Sequence, residues 1–177
     1  MKSRYTKDYE YRDVVDENGR ASSELVYTGI YHDSTLTPEQ LLCLRRRSLL
    51  ASGLALVLLA FGGFFSSSAS RSFLVMIPYL ACLSTSVFFL AGAVMLCRVP
   101  NHMTEKQYEH SYARTARSSI LTGFFGVAAG VADGIFLVLH SGELVLPGDL
   151  LLEAALILTA VTAILFYRRC REFLQEI

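Results

Sequence analysis

Tryptophan does not occur in this chain, and charged residues are scarce. With no Trp among the 177 residues, any aromatic belt at a membrane interface must be built from Tyr and Phe. Only 18% of the residues are charged, whereas soluble domains contain about a quarter. Apolar residues make up 53% of the chain, and its mean hydropathy is +0.40. This composition argues against an ordinary soluble domain and favours an integral membrane protein.

The start of the chain lacks a long apolar run, and the first one begins near Leu49. A cleavable signal peptide needs its apolar stretch within roughly the first 15–30 residues. We therefore expect the N-terminus to be retained in the mature protein. Residues 1–36 are polar and charged, and we interpret them as a short cytoplasmic N-terminal segment.

Four apolar stretches follow this segment, at residues 49–65, 73–97, 119–139 and 150–167. Crossing ~30 Å of hydrocarbon takes about 20 helical residues, with roughly 17–25 tolerated, so each stretch is long enough to span. The sequence thus predicts an all-α integral membrane protein, a four-transmembrane-helix bundle over residues 49–167. A juxtamembrane basic helix at 37–48 precedes the bundle, and a cytoplasmic tail at 168–177 follows it.

Basic residues are almost absent from one side of the four spans. Fifteen of the sixteen Lys and Arg residues lie before span one, between spans two and three, or after span four, and only Arg71 lies on the other side. Because cytoplasmic loops carry the excess of basic residues, this asymmetry predicts a cytoplasmic-membrane protein with both termini in the cytoplasm. Basic residues grouped beside the spans suit anionic lipid headgroups better than nucleic acid. The expected headgroup contacts are Arg45, Arg46, Arg47, Arg168 and Arg169.

The N-terminal segment carries a hairpin signal. Aromatic and polar positions alternate over residues 5–32, around the dipeptide Asn18-Gly19. Both residues tolerate positive φ, which is typical of a β-hairpin turn. A lone two-stranded hairpin is marginal in water. The sequence leaves two alternatives open: a hairpin that orders on a partner or on the membrane surface, and a disordered segment.

Two capping boxes precede spans one and three. Thr37 and Gln40 stand in the capping-box spacing, with Pro38 at the first helical position, and Thr104 and Gln107 repeat the pattern. We expect the first helix to continue from Thr37 through the basic run into span one. Several residue matches also recur at an offset of about 70, as for two tandem helical hairpins produced by duplication. Chance matching between helical hairpins of similar composition is the alternative.

Span three contains a stripe of glycines, and these are Gly123, Gly126, Gly130 and Gly134. At 100° per residue they fall on one face, and small residues at this spacing let two helices approach closely. We interpret the stripe as a helix-packing face, either inside the bundle or at an interface with another protein. A passage for a ligand is the less economical interpretation. Span three is therefore expected to be the span most enclosed by protein.

Asp133 is the one ionisable residue well inside a span. A carboxylate in hydrocarbon is costly, and such residues are functional-site hypotheses whose partner has to be identified. The candidate partners at similar depth are Glu153, His140 and Arg71. In a functional interpretation, Asp133 with His140 and Glu153 binds a cation or relays protons. In the simpler interpretation, which we prefer, Asp133 pairs with Arg71 or bonds to a Ser or Thr hydroxyl and sets the helix register.

No catalytic signature occurs in the chain. A nucleophile elbow, a zinc-protease motif, a P-loop and a dinucleotide fingerprint are all missing. The four cysteines form no C-x-x-C pair, and the spacing of His102, Glu105 and His110 near Cys97 fits no standard zinc pattern. We therefore predict no catalytic residue, no metal and no cofactor.

The resulting hypothesis is a non-enzymatic accessory, scaffolding or regulatory membrane subunit that packs through the glycine face of span three. Its partners are expected to be the lipid bilayer and either a second copy of the chain or a larger membrane protein. The alternative is a small transporter or channel that uses Asp133 as a cation or proton site.

Overall fold

Four long helices dominate the computed structural model, which describes residues 9–15, 21–29, 31–33, 37–65, 72–100, 102–140 and 147–174. A short helix and a π-helical turn lead directly into the third long helix. In chain order the helices are α1 (Pro38–Phe64), α2 (Phe73–Arg98), the short α3 (Glu105–Tyr108), the π turn (Glu109–Ala113), α4 (Arg114–Leu139) and α5 (Pro147–Leu174).

Each of the four predicted spans lies in a helix that is long and apolar enough to cross a membrane. The helical stretches run over 25 to 35 residues, and their most apolar windows have mean hydropathies between 1.7 and 2.2. At 1.5 Å per residue even the stretch of 25 residues measures about 38 Å, which exceeds the ~30 Å of hydrocarbon in a bilayer. The prediction of four apolar spanning helices is confirmed at this level.

The predicted capping box starts α1. The Thr37 hydroxyl accepts a hydrogen bond from the Gln40 N–H at 3.3 Å, and the Gln40 carboxamide oxygen accepts one from the Thr37 N–H at 2.9 Å. Beyond this cap the helix runs without a break through Arg45–Arg47 to Phe64. The continuous helix expected from the sequence is thus confirmed.

The second capping box, at Thr104 and Gln107, is also present, with reciprocal hydrogen bonds of 3.4 and 3.0 Å. The helix that it starts contains the π turn, which the sequence did not predict. In this turn the Ser111 hydroxyl donates to the Gln107 carbonyl and the Thr115 hydroxyl donates to the Ser111 carbonyl, both at 2.6 Å. These side chains occupy carbonyls where the regular α-helical ladder is interrupted.

The long helices form a closed bundle, because α1 and α4 both pack against α2 and α5. Helices α2 and α4 approach each other closely at Gly92. A Cβ atom placed on Gly92 would lie 2.7 Å from the Thr115 hydroxyl oxygen and 3.1 Å from the Thr115 backbone nitrogen. Only glycine fits this crossing without displacement of the backbone.

The bundle has two chemically different ends. At the basic end, α1 and α4 begin and α2 and α5 end. Its buried cluster contains large side chains, among them Leu44, Tyr112 and Phe166. At the acidic end, α4 ends and α5 begins, and three carboxyl groups lie among or near smaller apolar residues. The carboxyl groups at this end belong to Asp133, Asp149 and Glu153.

Four short strands lie at the basic end: β1 (Tyr9–Val15), β2 (Ala21–Tyr27), β3 (Tyr31–Asp33) and β4 (His102–Thr104). Strands β1 and β2 pair antiparallel, while the Asn18-Gly19 turn lies outside the described residues and stays a prediction. Strand β3 pairs with β4, which the sequence did not predict. The Tyr27 ring contacts the rings of Tyr9 and Tyr31, and its hydroxyl accepts a hydrogen bond from the Glu105 N–H at 3.3 Å. These contacts join the N-terminal strands to the segment before α4.

Candidate functional site

The first half of the glycine stripe in α4 packs against α5. A Cβ atom placed on Gly123 would lie 2.7 Å from Ile164 Cγ1, and one placed on Gly126 would lie 3.1 Å from the Ala160 Cβ. These two glycines permit the close approach of neighbouring helices that small residues give in a membrane. Their packing partner is in the same chain.

The second half of the stripe is open. The atom nearest to a Cβ placed on Gly130 or Gly134 is Oε1 of Glu153, at 4.0 and 3.9 Å. Here α4 and α5 leave a cavity of about 400 Å³ between them, which we term the α4/α5 groove. Its lining is almost entirely apolar and consists of Gly126, Val127, Gly130, Val131, Gly134, Glu153, Ile157, Ala160, Val161 and Ile164.

The α4/α5 groove opens on the outer surface of the bundle. Val127 and Val131 on one wall and Ile157 and Val161 on the other are each about half exposed. These side chains face the surroundings of the bundle and not its interior. A group entering the groove would therefore come from the side, between α4 and α5.

Glu153 is the single charged residue of the groove lining. It lies in the second turn of α5, and its carboxylate reaches across to the glycines of α4, because those positions carry no side chain that would exclude it. Its Oε2 atom is buried and has no hydrogen-bond partner among the described residues. The groove thus combines apolar walls with one carboxylate, whose Oε1 lies over Gly130 and Gly134 and whose buried Oε2 has no donor among the described residues.

Asp133 lies beside this carboxylate and is 0% exposed. It interacts electrostatically with Glu153 and with Asp149, which is 2% exposed in the first turn of α5. Neither oxygen of Asp133 meets a hydrogen-bond donor in the described part of the chain. A carboxylate can only accept hydrogen bonds, so two ionised carboxylates cannot satisfy one another. The pair can accept a proton, a cation or a hydrogen-bond donor.

His140, another predicted partner of Asp133, forms no hydrogen bond with it in the described part of the chain. Arg71 lies outside the described residues. The His140 ring stacks on Phe136 with the ring centroids 4.2 Å apart, and its Nδ1 lies 3.0 Å from the Phe136 carbonyl oxygen. The His140 ring is therefore used in a contact with the last turn of α4, and it donates no hydrogen bond to Asp133. Of the predicted polar residues, the structure brings Asp133 and Glu153 together.

Two sets of hydroxyl groups along the spans differ in their hydrogen bonding. Those of Ser84, Thr85 and Ser86 bond to carbonyls of their own helix at 2.8–3.0 Å, as is typical of helical Ser and Thr. The hydroxyls of Thr122 and Thr159 are buried and have no hydrogen-bond partner within the described segments. Thr122 lies on α4 and Thr159 on α5, and both are closer to the middle of the bundle than Asp133 and Glu153 are.

Metal ligands are not grouped in the described ranges, where no three His, Cys, Asp or Glu side chains could hold a metal ion together. The four cysteines are free thiols, with Cys43 on α1, Cys82 and Cys97 on α2, and Cys170 on α5. Cys82 donates to the Thr122 carbonyl at 3.5 Å and so takes part in the contact between α2 and α4.

The charged groups of the basic end are arranged differently. Arg45 donates a hydrogen bond to the carbonyl of Val99, which joins the start of α1 to the end of α2. The Arg114 guanidinium lies over the Phe88 ring, 5.4 Å from its centroid. The remaining arginines that were predicted to contact headgroups have exposed side chains, and these are Arg46, Arg47, Arg168 and Arg169.

Comparisons of the chain with protein-family models, with curated proteins and with solved structures find no match. Its function must therefore be inferred from the chemistry of the site. That site is an apolar groove on the side of the bundle, with an acceptor in its wall and a buried carboxyl group behind it.

Proposed function

We propose that the chain is a multi-pass protein of the cytoplasmic membrane with both termini in the cytoplasm. The four apolar helices support the membrane location. The orientation rests on the fifteen basic residues that the sequence places on one side. The hydrogen bond between Arg45 and Val99 supports the same grouping, since it joins two basic segments at one end of the bundle.

We further propose that it is a non-enzymatic accessory subunit that holds a transmembrane helix of another membrane protein in the α4/α5 groove. One observation carries this proposal: the carboxylate of Glu153 projects into a glycine-lined groove without a donor for its Oε2 in the described part of the chain. Asp133 lies behind it, fully buried and with no hydrogen-bond donor within the described segments.

A partner helix fits this groove in shape. Glycines spaced four apart let a second helix approach closely, and packing is the main force that joins helices in lipid. The exposed valines and isoleucines of both walls would extend the contact. Lipid tails would fill the same space without satisfying the carboxylate.

A partner helix also fits in charge, provided that it carries Lys or Arg. Buried carboxylates in membranes pair with cationic side chains, because an unpaired charge there is costly. The four spans of this chain contain neither Lys nor Arg. A second copy could not supply the cation from a span, so the proposed partner is a different protein.

The N-terminal strands would contribute a cytoplasmic contact to the same assembly. Five tyrosines occur among the first 31 residues. Tyr11 is 78% exposed and Tyr31 is 44% exposed, although β3 is held against β4. Large apolar and aromatic side chains of this kind are typical of protein interfaces.

Site-specific photocrosslinking in native membranes tests the proposal. Benzoylphenylalanine replaces Val131 in the groove or, as a control, Val57, which is exposed on α1. We expect an adduct from position 131 alone, with a transmembrane peptide of another protein that contains Lys or Arg. Mass spectrometry identifies the peptide.

Two further variants show whether the groove itself is used. Gly130→Leu fills the groove and should abolish the adduct, while Gly53→Leu, with nothing within 4 Å of its Cβ position, should leave it unchanged. Glu153→Gln should weaken the adduct because the ion pair is lost. An adduct with a second copy of this chain, or no protein adduct at position 131, would show that the proposal is wrong.

Cation or proton transport is the second candidate function. The hydroxyls of Thr122 and Thr159, which have no hydrogen-bond partner among the described residues, favour it because they continue the polar groups from Asp133 towards the middle of the bundle. Under this hypothesis Asp133→Asn abolishes flux in proteoliposomes and leaves the folded yield unchanged. Equal proton and sodium flux in wild type, Asp133→Asn and protein-free liposomes would exclude the hypothesis.

A further inference from the structure

A second groove lies at the basic end, between α1 and α5. It has a volume of about 410 Å³, and we term it the α1/α5 groove. Arg47 from α1 and Arg169 from α5 line its end nearest the termini of these helices, although they are far apart in the sequence. The groove continues along the apolar side chains of Leu50, Leu54 and Leu165.

The two arginines are available for an external anion. Their side chains are exposed, whereas that of Arg45 is held by the Val99 carbonyl. A guanidinium group donates paired hydrogen bonds to phosphate oxygens. Two arginines beside one groove can therefore both bind the same phosphate. The fold thus selects two of the five arginines that the sequence places beside the membrane.

The rest of the groove suits a hydrocarbon chain. Leu50, Leu54 and Leu165 are between 51% and 72% exposed and form a continuous apolar wall. The only hydroxyl in the wall belongs to Thr162, and it already donates to the Leu158 carbonyl at 2.7 Å. A polar ligand would find no further donor there, so the apolar part favours an acyl chain.

We propose that the α1/α5 groove binds one anionic phospholipid of the cytoplasmic leaflet. Its phosphate lies between Arg47 and Arg169, and one acyl chain follows Leu50, Leu54 and Leu165. Basic pockets between transmembrane helices on the cytoplasmic side bind lipid headgroups in this way. The inference rests on the proposed membrane orientation and is independent of the proposed partner helix.

Neighbouring arginines provide a matched control. Arg46 and Arg168 are exposed, adjacent in sequence to the two groove arginines, and not part of the groove lining. The double variants Arg47→Gln/Arg169→Gln and Arg46→Gln/Arg168→Gln therefore have the same net charge. They differ in whether the changed side chains face the groove.

Native mass spectrometry tests the proposal on protein released from nanodiscs of phosphatidylcholine with phosphatidylglycerol. We expect wild type and the Arg46/Arg168 variant to retain one phosphatidylglycerol molecule. The Arg47/Arg169 variant should bind it about thirtyfold more weakly, as expected for the loss of two arginine–headgroup contacts. Equal weakening in both variants, or no retention by wild type, would overturn the proposal.

A competition experiment separates the lipid from a free phosphate compound. sn-Glycerol 3-phosphate carries the phosphate without an acyl chain, and we expect it not to displace phosphatidylglycerol. Displacement at millimolar concentration would show that the acyl chain is not bound and would overturn the assignment to a lipid. Circular dichroism of each variant checks that the helices are intact. If the Arg47/Arg169 variant is unfolded, the single Arg169→Gln variant replaces it in the test. We expect the single variant to lose part of the lipid binding.

Discussion

The charged side chains at the two ends of the bundle have different contacts. At the basic end, Arg45 donates to a backbone carbonyl and Arg114 lies over an aromatic ring. At the acidic end, Asp133 is fully buried, and neither of its oxygens meets a donor in the part of the chain that the structure describes. At the basic end both of these contacts are made within one chain, while Arg45 Nε is buried and has no hydrogen-bond partner among the described residues. At the acidic end the oxygens of Asp133 can accept a proton, a cation or a hydrogen bond.

The contacts that α4 makes with its neighbouring helices are also tighter near the basic end than near the acidic end. Near the basic end, the helix meets Gly92 of α2 so closely that a Cβ atom would lie 2.7 Å from the Thr115 hydroxyl. Near the acidic end, Cβ atoms on Gly130 and Gly134 would have no neighbour closer than 3.9 Å. For the contacts of α4, glycine therefore permits a close helix crossing near the basic end and leaves an open groove near the acidic end.

The largest effect is expected from Gly92→Leu at the tight crossing. The new side chain would collide with the Thr115 backbone, and overpacking of this kind should lower the free energy of unfolding by about 3 kcal/mol. Unfolding by sodium dodecyl sulfate in mixed micelles, followed by circular dichroism, measures the change. The control Gly53→Leu, in open space, should not be destabilised. Equal losses would mean that the close approach of α2 and α4 is incorrect.

Asp133→Asn should stabilise the protein, in contrast to Gly92→Leu. Removal of a buried carboxyl group that meets no hydrogen-bond donor among the described residues should raise the free energy of unfolding by about 2 kcal/mol. The same titration measures it, with Glu39→Gln, at the exposed start of α1, as a neutral control. A lower stability would show that Asp133 is already paired, and the contrast between the two ends would disappear.

Arg45→Gln should destabilise the basic end. The variant loses a charge-assisted hydrogen bond to the Val99 carbonyl, which should cost about 1.5 kcal/mol of unfolding free energy. Arg46→Gln, one residue along on an exposed position, should change it little. The two variants need to be compared at low and high salt. Identical behaviour would indicate that Arg45 acts only through its net charge.

The capping threonines should give the smallest effects. Thr37→Ala and Thr104→Ala each remove one acceptor of a capping box and should each cost about 1 kcal/mol. Hydrogen exchange at the first turn of each helix should rise along with the loss of stability. Unchanged exchange at both helix starts would contradict the role of the boxes.

The helices and their starts could be predicted because their signals are local. Apolar length predicted the four spans, and the spacing of Thr37 and Gln40 predicted where α1 begins. The hydroxyls of span two bond to their own helix, as residues of that type commonly do.

The arrangement of the site could be predicted only in part. Depth along the spans suggested Glu153 as a neighbour of Asp133. The sequence did not reveal that the Glu153 carboxylate lies over Gly130 and Gly134, since this depends on the rotation of α5 about its axis. The same limit applies to Arg47 and Arg169, whose convergence depends on the packing of α1 against α5.

Pairing of β3 with β4 was not predicted for a different reason. Tyr31 lies opposite Thr104, and no local pattern specifies a partner so distant in the sequence. The prediction that span three is the span most enclosed by protein was also incomplete. Helix α5 is buried to the same extent as the helical stretch of span three, 39% in the most apolar part of each.

The π turn at Glu109–Ala113 bears on how the chain can change in length. A π turn holds one residue more than an α-helical turn, so deletion of one residue there would restore regular helix and leave both flanks in register. A deletion inside α4 would instead rotate Asp133 by about 100° relative to the helix start, away from Glu153. A shorter relative with the same site is therefore expected to lack its residue between positions 109 and 113 and not within the span.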